Sequence, residues 1–262
     1  MRLSVEILDH IFSFLLSHRE FLIACSKDPL LSPIIERHLY YHVTVHIRHP
    51  DSLANSKGRV LEPERVSQLV SENPRILNYV RILEIEPDFS SGRHRQSILR
   101  RLDKFANTLL MFPLLECIML TSRKFERAIW YWSDAFQTAL RDRLNLPTIK
   151  EIRFIGSKKF PFSFLDACKH VKNLSLSGSF DAGGRFCNST LPRLKSLTLS
   201  AERISSSLLT WLKSHMNELQ SLKCAFFSVE ALPELLGVCS QTLTKLEVDL
   251  TNSGGKFSFS FR

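Results

Sequence analysis

One short phrase recurs seven times along this chain: apolar, two others, apolar, one other, apolar. It reads Val80-Leu83-Ile85, Leu115-Ile118-Leu120, Ile149-Ile152-Phe154, Val171-Leu174-Leu176, Leu194-Leu197-Leu199, Leu219-Leu222-Cys224 and Leu243-Leu246-Val248. The first members are separated by 35, 34, 22, 23, 25 and 24 residues. Such spacing constrains the fold strongly, because a small unit that cannot bury its own apolar face must bury it against the next copy. The second half of each phrase alternates at period two, the pattern of a strand with one face inward. Between the phrases lie stretches of helical periodicity, at 62–73, 93–111, 124–144, 205–217 and 228–238. Strands alternating with helices imply parallel strands joined by crossovers, hence an α/β fold. Residues 42–48 read as a lead strand, with Val43, Val45 and Ile47 on one face and His42, Thr44, His46 and Arg48 on a polar, exposed face.

The first 41 residues do not follow this rhythm. Residues 3–16 form a short helix with two apolar stripes, Ile7, Ile11, Phe14 and Leu15 beside Leu8, Phe12 and Leu16. A helix at the edge of a small unit needs one buried stripe, so the second is expected to face a partner. Ser4 can cap this helix through its hydroxyl, and Glu6 sits well in the first turn. Two further short helices follow, the last with Leu31, Ile34, Ile35 and Leu39 on one side.

Three helices opened by L-x-V-E-I-L-x-x-I-F-x-F-L resemble the F-box over residues 3–41. The family usually has Pro at the position of Ser4 and often a Trp in its third helix, where this chain has none. The repeated phrase resembles degenerate leucine-rich repeats. Three positions past the last apolar residue, where Asn or Cys is usual, stand Ser179, Glu202 and Phe227. The phrases at 71–85, 111–120 and 146–154 are similar to those of divergent fungal F-box proteins. Together the resemblances imply an α/β chain in two parts: a three-helix F-box-like unit at 1–41, then a curved leucine-rich-repeat-like solenoid with parallel strands at 42–262. The end, F-S-F-S-F, reads either as a final edge strand with Phe257, Phe259 and Phe261 inward or as a truncated array with an exposed edge.

By that resemblance the chain is a non-catalytic substrate receptor of an SCF-type ubiquitin ligase. It would dock on an SKP-type adaptor, and through it a cullin, using the second stripe and its surroundings: Leu3, Ser4, Ile7, Leu8, Ile11, Phe12 and Leu15. An unknown target protein would bind the concave strand face through Glu84, Met119, Arg153, Ser175, Thr198, Lys223 and Glu247. The alternative is a leucine-rich-repeat scaffold with no ubiquitin role, its N-terminal helices only a cap. A third reading, nucleic-acid binding through Arg93, Arg95, Arg100, Arg101 and Lys104, competes with a plain solvated helix face and is the weaker of those two.

Composition narrows the classes further. The net charge of +9 lies after the helical unit: residues 1–50 carry five basic and five acidic side chains, 51–150 sixteen and twelve, 151–262 fourteen and nine. Glu6, Asp9 and His10 interrupt the N-terminal apolar run as no signal peptide would, and no stretch reaches the length of a membrane span, so a cytoplasmic or nuclear protein is expected. The six cysteines are scattered, without C-x-x-C, and read as buried reduced thiols. No phosphate loop, H-E-x-x-H or G-x-S-x-G occurs, so no enzyme activity and no cofactor is expected. His38, His42, His46 and His49 lack a carboxylate or Cys to complete a metal set, and no metal site is expected. Trp130-Tyr131-Trp132 is read as helical, with Trp130 packed and Trp132 partly exposed.

Overall fold

The computed structural model describes residues 4–15, 18–48, 61–88, 94–121, 132–156, 162–180, 193–226, 232–250 and 255–260. Three helices open it: α1 (Val5–Phe14), α2 (Arg19–Cys25) and α3 (Ser32–Tyr40). Strand β1 (His42–Ile47) follows, then α4 (Pro63–Glu72), β2 (Ile82–Pro87), α5 (Arg95–Leu109), β3 (Cys117–Thr121), α6 (Asp134–Leu144) and β4 (Glu151–Ile155). The chain continues with β5 (Asn173–Phe180), β6 (Ser196–Ile204), α7 (Ser206–His215), β7 (Ser221–Phe226), α8 (Leu232–Cys239), β8 (Lys245–Leu250) and β9 (Gly255–Ser260). Short 3-10 helices at Pro74–Asn78 and Phe162–Ala167 lead into β2 and β5.

Local chemistry marks several helix starts. The hydroxyls of Ser4, Ser133 and Ser205 accept from the N–H groups of Ile7, Phe136 and Leu208, satisfying donors that a first turn leaves free. Pro63 opens α4, where its missing N–H costs nothing.

The strands form one open nine-stranded sheet in chain order, β1 to β9. The first eight run parallel, and the repeated phrase fixes their register: Leu83 aligns with Ile118, Ile152, Leu174, Leu197, Leu222 and Leu246 across successive strands. These residues share one core with Val66, Leu102, Phe105, Phe136, Leu140, Leu208, Leu212 and Leu235 of the helices. A smaller core of Phe12, Leu22 and Ile35 closes the three N-terminal helices, with Leu8, Leu15, Leu31, Ile34 and Leu39 around it. Helix α3 links the two: Tyr40 packs on the main core, and Asn73 Nδ2 donates to Glu36 Oε1 at 3.5 Å. No described helix is long and apolar enough to cross a membrane.

Of the two readings of the C-terminus the final edge strand is the one found, added antiparallel to the otherwise parallel sheet, and two further expectations are corrected. Strand β9 runs antiparallel to β8, with Phe257 opposite Val248 and Phe259 opposite Leu246. Only residues 251–254 join the two strands, too few for the crossover a parallel neighbour needs. Trp132 lies outside α6 and is 4% exposed, against the expectation of a helical, partly exposed ring; it packs edge-on to Phe136 at 5.1 Å. Trp130 and Tyr131 lie outside the described residues. The polar face of β1 is not exposed throughout, because His46 and Glu86 are buried there together.

Candidate functional site

Two surfaces carry chemistry that the fold itself does not use. The first is the outer side of α1. Leu8, Phe12 and Leu15 turn toward Leu22 and Ile35, whereas Val5, Ile7, Ile11 and Phe14 remain exposed, Phe14 at 71%. This corrects the expected stripes: Leu8, Phe12 and Leu15 belong to the small core, and the stripe left exposed is Ile7, Ile11 and Phe14 with Val5. Ser4 serves as the helix cap, and Leu3 lies outside the described residues. The orientation of α1 is pinned by Asp9, which meets His38 Nε2 at 2.9 Å and Arg37 Nη2 at 3.5 Å on α3. On α2, Phe21 and Ile23 are also exposed, so the apolar surface is wider than one helix. Sequence reading did not single them out, although F-L-I-A carries more apolar positions than one buried Leu22 requires.

The second surface is the polar face of the sheet. Register places Thr44, Glu84, Met119, Arg153, Ser175, Thr198, Lys223 and Glu247 in one row across eight strands, so all seven expected target-binding residues do come together. Their environments differ. Met119 is 9% exposed and offers little to a partner, a correction to its place on an open face. Arg153 Nε pairs with Glu151 Oε1 at 2.6 Å, and Lys223 Nζ with Glu247 Oε1 at 2.7 Å, so the two cations are largely neutralised by neighbours. Glu84 accepts from Thr121 at 2.8 Å and Thr44 at 3.1 Å and lies 3.4 Å from His42 Nε2. The His42 hydrogen bond, helped by those two hydroxyls, holds its carboxyl down at about 2 against the opposing effect of burial.

At the top of β1 and β2, His46 Nε2 lies 2.9 Å from Glu86 Oε2, and Arg48 Nη2 lies 2.8 Å from His46 Nδ1. Arginine only donates, so Nδ1 accepts, which places the ring proton on Nε2, the side that faces Glu86. His38, His42 and His46 each lie beside a carboxylate, and His49 lies outside the described residues; among the described residues no group of three or more His, Cys, Asp or Glu is arranged to hold a metal.

The basic cluster on α5, expected as a solvated helix face, departs from that at Arg101. Arg101 is 7% exposed; it pairs with Glu62 Oε2 at 2.7 Å and Glu64 Oε2 at 2.5 Å and donates to the carbonyl of Arg48. It ties α5 to α4 and β1 rather than facing solvent. Arg100 and Lys104 are exposed, and Arg93 lies outside the described residues, as does the side chain of Arg95. Burial pushes the thiols of Cys117 and Cys224 up to about 12, which keeps them protonated and inert.

The chain matches no protein-family model, no curated protein and no solved structure.

Proposed function

We propose that this chain is the substrate-recognition subunit of an SCF-type ubiquitin ligase. The N-terminal helices dock on an SKP-type adaptor, which connects to a cullin, and the leucine-rich-repeat-like solenoid holds a target protein. The chain supplies no acid, base or nucleophile; it raises the local concentration of target at a charged conjugating enzyme. One observation carries the reading: α1 buries one apolar stripe in its own small core and leaves a second, Ile7, Ile11 and Phe14, in solvent. A helix that only capped the sheet would need no second stripe.

Co-expression with an SKP-type adaptor, followed by affinity and sizing chromatography, tests this. The wild type is expected to give a one-to-one complex, and the Ile7→Asp, Ile11→Asp, Phe14→Asp triple variant to lose it while keeping its circular dichroism spectrum. A wild-type chain that stays monomeric beside the adaptor overturns the proposal and leaves a plain scaffold.

A further inference from the structure

Several charged side chains of the sheet are paired with an opposite charge, across strands or along one strand. Arg81 pairs with Glu116, Arg153 with Glu151, and Lys223 with Glu247. One stretch departs from this habit. The residue that follows the first apolar member of the repeated phrase is lysine in three consecutive copies: Lys150, Lys172 and Lys195. Parallel pairing stacks them on adjacent strands, with Lys172 N donating to Lys150 O at 2.9 Å and Lys195 N to Lys172 O at 2.8 Å. Neighbouring backbones are about 4.8 Å apart, so each ammonium group is tethered within one screening length, about 8–10 Å, of the next. All three side chains are exposed, and none forms an ion pair with a described carboxylate.

These lysines line a cleft of about 390 Å³ at the edge where β4, β5 and β6 begin, together with Lys169 and Arg193. Among the described lining residues five cations face a single carboxylate, Glu218, which is already paired with Arg193. Pro147 and His170 are the other described residues of the lining, which among the described residues holds no Phe, Tyr or Trp.

We propose that this cleft binds an acidic segment of a partner protein, an extended run with Asp or Glu at alternate positions. Alternate side chains of an extended chain recur about every 6.7 Å, so two carboxylates bridge the roughly 9.6 Å from Lys150 to Lys195. Single-stranded nucleic acid, the competing polyanion, is held by aromatic stacking as well as charge, and the described lining residues include no Phe, Tyr or Trp platform. The site is separate from the adaptor face on α1 and from the polar row of the sheet, so it stands whether or not the chain serves a ubiquitin ligase.

The test is fluorescence anisotropy of a labelled peptide of six Glu-Ser repeats titrated with the full chain. Saturable binding is expected that weakens with added salt. The Lys150→Gln, Lys172→Gln, Lys195→Gln triple variant, checked for an unchanged thermal midpoint, is expected to bind at least about tenfold more weakly, a factor of the size that losing three charge contacts produces. Equal binding by the variant, or equal binding of a Lys-Ser repeat peptide, overturns the proposal. So does tighter binding of a twelve-nucleotide oligothymidine that displaces the peptide. Adaptor capture by the triple variant, run in parallel, keeps this result distinct from the fate of the ubiquitin-ligase reading.

Discussion

Glu84 sits where three strands meet, taking hydroxyl hydrogen bonds from Thr44 on β1 and Thr121 on β3 beside the imidazole of His42. Its carboxyl is held at about 2 against an ordinary 4.5, so the folded state favours the ionised form. The stability this contributes is present above the unfolded value and is lost as pH falls from about 4.5 toward 2. Glu84→Gln should therefore cost about 1–2 kcal/mol near pH 6, discounted for the solvent that reaches His42. The gap from wild type should close by about pH 2, and urea denaturation across that range checks it. Arg101 is the other residue on which several elements depend. Arg101→Met strands Glu62 and Glu64 and removes a donor from the Arg48 carbonyl, and should lower stability by about 1–3 kcal/mol. Adding Glu62→Gln and Glu64→Gln should return part of that loss in a double-mutant cycle.

At the scale of elements, α1 separates a buried stripe from an exposed one by one residue of rotation. Phe12→Ala should cost about 2–4 kcal/mol, because it empties the centre of a core that Leu22 and Ile35 share. Ile11→Ala should change stability by less than about 0.5 kcal/mol, as an exposed position does. Chemical denaturation of the two variants checks both, and equal losses would mean that the second stripe is packed internally. Both stripes were legible as apolar spacing, but their assignment was not: residues 8, 12 and 15 win burial only because Leu22 and Ile35 approach from other helices. The row Glu84 to Glu247 was fully legible, since equal positions in a repeated phrase become register neighbours in a parallel sheet. Burial of His46 was not, because it depends on Glu86 one strand away. One misreading had a signal at hand: Ser133-Asp134 is a helix start that leaves Trp132 outside. The direction of β9, left open, also had one, since the four residues 251–254 permit only an antiparallel return.

Across the whole molecule, a single sheet in chain order means that each strand leans on its sequence neighbours, and that the open sides lie at β1 and β9. Removing residues 251–262 should uncover the hydrogen-bonding edge of β8 and promote self-association, seen as concentration-dependent light scattering. The same architecture keeps three surfaces apart: the apolar face of α1, the polar row across the sheet and the lysine cleft at the starts of β4 to β6. A receptor that bridges an adaptor and a target uses such separated surfaces at the same time. Amide hydrogen exchange on the full chain, with and without a saturating SKP-type adaptor, reads the bridge directly. Slower exchange in α1 and α2, with β4 to β6 unchanged, is the expected result. Unchanged exchange throughout residues 5–25 would contradict the proposed role.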